Sequence, residues 1–337
     1  MFLLLLFNWA ICWLQVTRKD TNGDSVPPQD PSNLADDTPT IIQQFLARLC
    51  YCQPVASQDD AARLQKILDS DFCRFVQDEA FPPGWFDKTC VYAVAMAQLS
   101  YTGHDPEVQL YVARFTWFML YLDDMARRMP LEMSTFQFKL ITNDKDTEVL
   151  TAFRQHLSDA YRLWDTLPAN SIVTASMEFV TGCALEEDAE IRSMKIRATA
   201  VSWPYFLRTK TGVASAYSFM IFPRLAHPNL RSYIQVIGDI NLFIDLTNDV
   251  LSFHKENLEG EAWNYVSNRS ATTGKSVLQT YQDIATEALS SHDRICATLE
   301  GPELLAWERF VNGYLAFHVT QDRYHLEEIL PLPLARD

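Results

Sequence analysis

The chain has 337 residues and a net charge of −15, with 28 lysines and arginines against 43 aspartates and glutamates. This balance argues against a nucleic-acid-binding protein, which needs clustered basic side chains to hold phosphates. Hydrophobic residues make up 48% of the chain and there are only 10 glycines. Such a composition excludes disorder along the whole chain and disfavours glycine-rich phosphate loops.

The N-terminal part differs in composition from the rest. Residues 1–16 form an almost wholly apolar leader, and Arg18 and Lys19 follow it. The leader is shorter than the ~20 residues of a membrane span, and it lacks the preceding positive charge of a secretory signal. Residues 17–38 are polar and rich in Pro and Asp, so we predict a disordered linker there. No comparable interruption occurs in residues 39–337, which we predict to be one domain.

The seven cysteines are scattered along the sequence, and none shares a zinc-binding spacing with another cysteine or a histidine. This pattern is typical of free thiols in a reducing compartment. We therefore expect a cytoplasmic protein, with membrane association only if the leader is an anchor.

The predicted elements of the domain are all helices. Apolar residues recur at spacings of three and four, and the Asn-Gly and Asp-Gly signals of hairpins are nearly absent. The predicted fold class is therefore all-α, a single-domain bundle of about ten or more helices. In chain order the predicted helices are 40–54, 58–80, 88–103, 106–128, 146–165, 169–187, 189–207, 211–222, 228–257, 273–298 and 302–328.

Two adjacent aspartates, Asp123 and Asp124, lie near the end of the long apolar helix predicted at 106–128. Carboxylates are the oxygen ligands that Mg²⁺ takes, usually one or two per ion, with water and substrate phosphate completing the shell. The partial negative charge at a helix C-terminus also favours a cation. Such a pair alone usually marks only a solvated helix end, so a metal site needs a second feature.

The second feature follows an apolar stretch of the helix predicted at 228–257. Asn248, Ser252 and Glu256 stand at i, i+4 and i+8, and at ~100° per residue they drift only about 80° around a helix. Their amide, hydroxyl and carboxylate oxygens therefore line one stripe and predict a Mg²⁺ site. Lys255 lies near the same stripe and can reach an anion held by the metal.

The order Asn-Asp-x-x-Ser-x-x-x-Glu in residues 248–256 resembles the second metal motif of class I terpene synthases, and the upstream Asp pair resembles their first. The sequence NDVLSFHKE is similar to that of the fungal trichodiene synthase-like family, which includes longiborneol synthases. The resemblance covers roughly residues 40–330. It implies a class I terpenoid synthase bundle around an apolar cavity.

Two further segments resemble the same family. Arg208 lies 40 residues before the second motif and resembles the diphosphate-sensing arginine, while Thr211 and Gly212 resemble the helix break beside it. Arg323 and Tyr324 resemble the C-terminal pair, in which a planar guanidinium and a hydroxyl donate to phosphate oxygens. The diphosphate donors that the family implies are Arg208, Lys255, Arg323 and Tyr324.

The family also implies a reaction. Three Mg²⁺ ions, two on the side of Asp123 and one on the second motif, would grip farnesyl diphosphate. Ionisation and cyclisation would then give a cyclic sesquiterpene hydrocarbon or alcohol and release diphosphate. Aromatic faces can stabilise the carbocation, and the candidates are Trp117, Tyr121, Tyr314 and Phe317. The expected partners are a prenyl diphosphate substrate and a second copy of the chain in a homodimer.

One position departs from the family pattern. The usual first motif is D-D-x-x-D or D-D-x-x-E, and Arg127 occupies its fifth position. We expect Asp123 to make most of the metal contact and Arg127 to face solvent. The missing carboxylate leaves reduced activity open.

Three other functions stay open. A short-chain prenyltransferase would use the same fold and metal, but it needs Asp-rich motifs at both sites. A catalytically decayed isoprenoid-binding homologue would explain Arg127, and Mg²⁺-dependent release of diphosphate would argue against it. A membrane-anchored interaction protein depends only on residues 1–16.

Overall fold

The computed structural model describes residues 31–330 except 55–56, 77–80 and 262. Every regular element in this part of the chain is helical, which confirms the all-α class. The α-helices are α1 Pro31–Arg48, α2 Gln58–Phe72, α3 Trp85–Ala95, α4 Pro106–Met125, α5 Pro130–Thr142, α6 Glu148–Leu163, α7 Thr166–Glu187, α8 Ala189–Ser193, α9 Trp203–Thr211, α10 Ala214–Met220, α11 Ile237–Leu258, α12 Tyr265–Thr273, α13 Val277–Thr298 and α14 Gly301–Thr320.

Local capping fixes where several helices begin. The side chain of Asp105 accepts a hydrogen bond from the backbone N–H of Glu107 at 2.8 Å, and Pro106 occupies the first turn of α4. Ser276 and Gln279 form a reciprocal capping box at the start of α13. These contacts satisfy backbone N–H groups that have no partner inside a helix.

The first helix begins earlier than the sequence predicts. α1 starts at Pro31, so residues 31–38, which fall within the predicted disordered linker, are helical. Thr38 is buried, as are Ile42 and Phe45 one and two turns later. Docking of this face stabilises a helix whose local composition is typical of disorder. The leader and residues 17–30 lie outside the described residues, and the domain boundary stays a prediction.

Other helix predictions also differ from the structure. Two helices were not predicted: α5 at residues 130–142, which a proline begins, and α12 at Tyr265–Thr273. The helix predicted at 189–207 is two helices, because residues 194–202 are non-helical and α9 restarts with Pro204 in its first turn. Short 3₁₀ turns precede α11 and follow α14, in place of the longer helices predicted there.

The bundle brings the C-terminal ends of α4 and α14 next to the C-terminal half of α11. Asp123 at the end of α4 approaches Arg323, just beyond α14, and Asn248 on α11 contacts His318 on α14. We call this region the motif end. Large side chains are buried in the bundle, among them Trp117, Phe243 and Trp307, each 2% exposed or less.

A glycine sets how closely α14 can pack. A Cβ at Gly313 would overlap the backbone carbonyl of Leu99, which lies in the π-helical turn Met96–Ser100. α14 therefore lies directly against the backbone of this turn. This close packing holds α14 in place, and the C-terminal end of α14 carries His318 at the motif end.

A cavity of about 700 Å³ lies away from the motif end. Val108 at the start of α4 and Leu305 at the start of α14 line it. At ~1.5 Å per residue, α4 places Asp123 roughly 22 Å from Val108. This cavity is therefore separate from the site that the two motifs define.

Two further observations concern the described residues. None of their helices combines the length and hydropathy that a membrane span requires. The cysteines among them form no disulfide.

Candidate active site

The second motif lies on one stripe of α11. The hydroxyl of Ser252 donates to Oε1 of Glu256 at 2.5 Å, as the i, i+4 spacing predicts. Ser252 is buried and Glu256 is half-buried. Burial raises the pKa of Glu256 to about 7, the Ser252 hydrogen bond opposes this shift, and the charge of Asp249 adds to it. The positive charges near Glu256 therefore do not offset the cost of burying its carboxylate.

Asn248 is held from both sides by neighbouring helices. Nη2 of Arg208 on α9 donates to its Oδ1 at 3.1 Å, and its Nδ2 lies 3.2 Å from Nε2 of His318 on α14. Nδ1 of His318 lies 2.8 Å from the carbonyl oxygen of Tyr314. Burial lowers the pKa of His318 to about 4, so the ring is neutral at neutral pH. Sequence reasoning missed His318, because a histidine in an apolar helix is usually a core residue.

Arg208 is mainly bound to two buried carboxylates. Its Nε lies 2.8 and 3.0 Å from the two oxygens of Asp249, and its Nη1 lies 3.3 Å from Oδ1 of Asp245. Burial raises the pKa of each carboxyl to about 6, and Arg208 partly opposes this. One guanidinium therefore neutralises a pair of buried acids incompletely. The sequence prediction took the turns before Asn248 as apolar and so overlooked Asp245.

The helix break beside Arg208 has no room for a side chain. Gly212 ends α9, and a Cβ there would overlap the Asp245 carboxylate and the Arg208 guanidinium. Val213 follows with φ 47°, a left-handed conformation that is strained for a β-branched residue. The hydroxyl of Thr211 lies 3.4 Å from the carbonyl oxygen of Leu207, inside its own helix. The break thus packs backbone directly against the buried acids.

The first motif is more open. The side chain of Asp123 is 49% exposed, and its Oδ2 lies 3.8 Å from Nη2 of Arg323. Desolvation in this recess raises the pKa of Asp123, whereas Arg323 lowers it. Asp124 points elsewhere, because its Oδ2 accepts a hydrogen bond from Nε1 of Trp85 at 2.7 Å. Arg127 is exposed, as expected.

The C-terminal pair is tethered to α3. Asp322 accepts hydrogen bonds from Nζ of Lys88 at 3.0 Å and from the hydroxyl of Tyr92 at 2.7 Å. The next two residues are Arg323, whose side chain is 24% exposed, and Tyr324, which is buried. Burial raises the pKa of Tyr324 to about 12, so its hydroxyl is a donor at neutral pH. Nothing in the sequence links α3 to a segment 230 residues away.

The predicted aromatic candidates lie among other aromatic rings. Trp117 is fully buried and stacks on Phe72 of α2, with 4.0 Å between ring centroids. Tyr121 stacks on Trp117 at 5.2 Å and meets the edge of Trp85 at 6.2 Å. The contacts of Trp117 are those of a core residue, whereas Tyr121 lies nearer the first motif. Both stay predictions as substrate contacts.

The charge of the site favours a divalent cation. Among the described residues, no three His, Cys, Asp or Glu side chains lie close enough to form a metal site by themselves. Mg²⁺ needs only one or two carboxylates when phosphate and water complete its shell. Glu186 on α7 lies in the same carboxylate-rich region, where burial and then the charge of Asp123 raise its pKa to about 8. The oxygen-rich donor set and this excess of carboxylates fit Mg²⁺.

Comparisons with known proteins agree with this geometry. A family model described as trichodiene synthase matches residues 87–332. Terpene synthase BipA of Cochliobolus sativus is 31% identical over 69% of this chain and 73% of its own. Longiborneol synthase of Gibberella zeae is 33% identical over 67% of this chain and 68% of its own.

A solved structure shares the fold. Linalool/nerolidol synthase from Streptomyces clavuligerus, in complex with 2-fluorogeranyl diphosphate, is 15% identical. It superposes with a TM-score of 0.57 over 81% of this chain and 98% of its own.

This all-α bundle shares the class I fold of terpene synthases, and it brings an Asp pair and an Asn-x-x-x-Ser-x-x-x-Glu stripe to one end. The chain belongs to the trichodiene synthase family and is a terpene cyclase. The resemblance drawn from the second motif is therefore confirmed.

Proposed function

We propose that this terpene cyclase is a Mg²⁺-dependent sesquiterpene synthase, which converts farnesyl diphosphate to a cyclic sesquiterpene and diphosphate. The observation that carries the proposal is the meeting of two oxygen-rich motifs with basic side chains at the motif end. The charges of Arg323 and Lys255 both lower the pKa of Asp123, so the ends of α4, α11 and α14 lie around a common space. A diphosphate anion bound through cations would fit a site where carboxylates and basic side chains lie close together.

The residues that would hold Mg²⁺ come from opposite sides of the site. Asp123 would bind on the α4 side, and Oδ1 of Asn248, Oγ of Ser252 and a carboxylate oxygen of Glu256 would bind on the α11 side. Three ions are expected in all from the family pattern. When bound, Mg²⁺ neutralises phosphate oxygens and makes the diphosphate a better leaving group. Asp124 would serve more weakly, because Trp85 already occupies one of its oxygens.

The chain's own donors would complete the diphosphate site. Arg323 and Tyr324 present a guanidinium fork and a hydroxyl from the segment after α14. Among the described residues, Lys255 pairs only with exposed Glu259, at 3.4 Å, and it can turn to a bound anion. Arg208 makes four hydrogen bonds to α11, so its first role would be to hold the second motif in place.

Below the diphosphate the substrate chain needs a dry, apolar space. Water there would quench the carbocation, and aromatic faces would stabilise it. Tyr121 and Phe317 are buried on α4 and α14, near the two ends that carry diphosphate ligands. The shape of this space would decide which sesquiterpene forms.

The choice of farnesyl diphosphate depends on the family. Similar proteins carry names as different as monoterpene synthase 25 and (E)-beta farnesene synthase. The full chain should therefore be offered geranyl, farnesyl and geranylgeranyl diphosphates with Mg²⁺, and the organic extracts analysed by gas chromatography–mass spectrometry. We expect cyclic C15 products from farnesyl diphosphate at the highest turnover. Faster conversion of geranyl diphosphate would overturn the sesquiterpene assignment.

A further inference from the structure

His318 contacts a residue of the second motif without belonging to either motif. It lies on α14, its side chain is fully buried, and its Nε2 is 3.2 Å from Nδ2 of Asn248. On the other side of the ring, Nδ1 lies 2.8 Å from the carbonyl oxygen of Tyr314. The imidazole therefore bridges the backbone of α14 and an amide of α11.

The partners decide which ring nitrogen carries the proton. The carbonyl oxygen of Tyr314 can only accept, so Nδ1 of His318 must donate to it. The remaining nitrogen, Nε2, then accepts in the neutral ring. It can pair only with a donor, and the amide nitrogen of Asn248 is that donor.

Arg208 imposes the same orientation on the amide from the opposite side. A guanidinium has only donors, so the Asn248 atom 3.1 Å from Nη2 of Arg208 must be the carbonyl oxygen. A flipped amide would place donor against donor at Arg208 and acceptor against acceptor at His318. Both bonds therefore favour one orientation, with the carbonyl oxygen away from His318.

The orientation matters because only the oxygen of an amide binds Mg²⁺. The carbonyl oxygen has two lone pairs, and Arg208 uses one of them. The second remains for a cation that Ser252 and Glu256 also reach from the same stripe. The ring of His318 also lies 4.4 Å from that of Tyr324, next to a predicted diphosphate donor.

We propose that His318 is a positioning residue for the second metal site. Its Nε2 accepts from the Asn248 amide nitrogen and so presents the amide oxygen to Mg²⁺. This inference rests on the proposed function, because it assumes that the second motif binds Mg²⁺. His318 itself touches neither metal nor substrate.

Two substitutions separate positioning from packing. His318→Leu removes the acceptor, whereas His318→Gln places an amide oxygen where Nε2 stood. The matched control is His156→Leu on α6, because His156 is also buried, at 5% exposure, and stacks on Tyr111 at 4.1 Å. Should His318→Leu not fold, His318→Met fills the same space with only a weak acceptor.

The first readout is binding without turnover. Full-length variants are titrated with Mg²⁺ at a fixed concentration of inorganic diphosphate, and the rise in thermal unfolding midpoint is followed. Loss of a group that orients a metal ligand typically weakens metal binding ~10–100-fold. We expect His318→Leu to raise the half-saturating Mg²⁺ concentration by that factor, while His318→Gln and His156→Leu stay within about threefold of the wild type.

The second readout is the Mg²⁺ dependence of turnover, which should shift in parallel. The proposal would be overturned if His318→Leu and His156→Leu showed the same Mg²⁺ dependence. It would also be overturned if His318→Gln lost as much Mg²⁺ affinity as His318→Leu. In both cases the proposed function still stands, provided that the wild-type chain responds to Mg²⁺ and diphosphate. A wild-type chain that shows neither a thermal shift nor turnover would overturn both.

Discussion

The two motifs at the motif end are built in different ways. The second takes its oxygens from successive turns of one helix, and Arg208 and His318 hold that helix through bonds to Asn248. The first has one aspartate that is 49% exposed and 3.8 Å from Arg323. Helical spacing alone places the oxygens of the second motif on one stripe, whereas nothing local sets the surroundings of the first motif, which depend on segments distant in sequence.

The largest expected effects come from removing one ligand of each motif. Asp123→Ala and Asn248→Ala should each reduce turnover ~100-fold or more, because each removes a ligand of the Mg²⁺ ions that would neutralise the leaving diphosphate. Helical circular dichroism should stay intact in both. Steady-state assays with farnesyl diphosphate and Mg²⁺ measure the loss, and unchanged turnover in either variant would refute that metal assignment.

The same two variants should also differ in stability. In Asn248→Ala, Arg208 has one hydrogen bond fewer and His318 lacks its donor. This loss should lower the free energy of unfolding by about 1–3 kcal/mol. Asp123 is half exposed, so Asp123→Ala should leave the unfolding midpoint nearly unchanged. Equal midpoints for the two variants would show that the second motif is no more tightly held than the first.

The next effect tests the support of the second motif. Gly212→Ala should lower the free energy of unfolding by about 1–3 kcal/mol or more, because its Cβ would overlap Asp245 and Arg208. Turnover should fall with it, since Arg208 holds Asn248. Gly238→Ala on α11 is the control, because a Cβ there meets no atom of the described residues within 4 Å. Chemical denaturation measures both, and a tolerated Gly212→Ala would contradict the packing described at the break.

A smaller effect is expected at the tether of the first motif. Asp322→Asn weakens the bond from Lys88, and an exposed pair of this kind contributes only ~0–1 kcal/mol to stability. Turnover should still fall severalfold, because the next residue is Arg323. Asp283→Asn breaks another exposed Asp–Lys pair, with Lys275, far from the motifs in sequence. Identical kinetics in the two variants would argue against a role for the tether.

The smallest effect is expected at Arg127. This residue is exposed, at the position where the family pattern has a carboxylate. Arg127→Asp should therefore preserve turnover or raise it up to severalfold. The measurement is kcat at saturating Mg²⁺, and a collapse would mean that Arg127 has acquired a function of its own.

The sequence specified some features well and others not at all. The stripe of Asn248, Ser252 and Glu256 follows from helical periodicity, so local spacing is enough to predict it. The start of α1 at Pro31 could not be predicted, because the stability of this helix comes from docking rather than from composition. The bond from Trp85 to Asp124 and the tether of Asp322 to α3 depend on tertiary packing, which no local pattern encodes.

The buried acids show a further limit. Asp245 lies in the run Ile244-Asp245-Leu246, and its apolar neighbours hid it as a site residue. A charged residue inside a helix that is otherwise buried needs a partner, and that requirement was an available signal. Its partner, Arg208, was recognised only by resemblance. The structure joins the two through the break at Gly212.

The most direct test of the account uses the full chain, farnesyl diphosphate and gas chromatography–mass spectrometry of the volatile extract, with and without Mg²⁺. We predict cyclic C15 products only with Mg²⁺, and their loss in Asn248→Ala. Absence of product with Mg²⁺, with geranyl and geranylgeranyl diphosphates also inert, would contradict the proposed function and favour a decayed site.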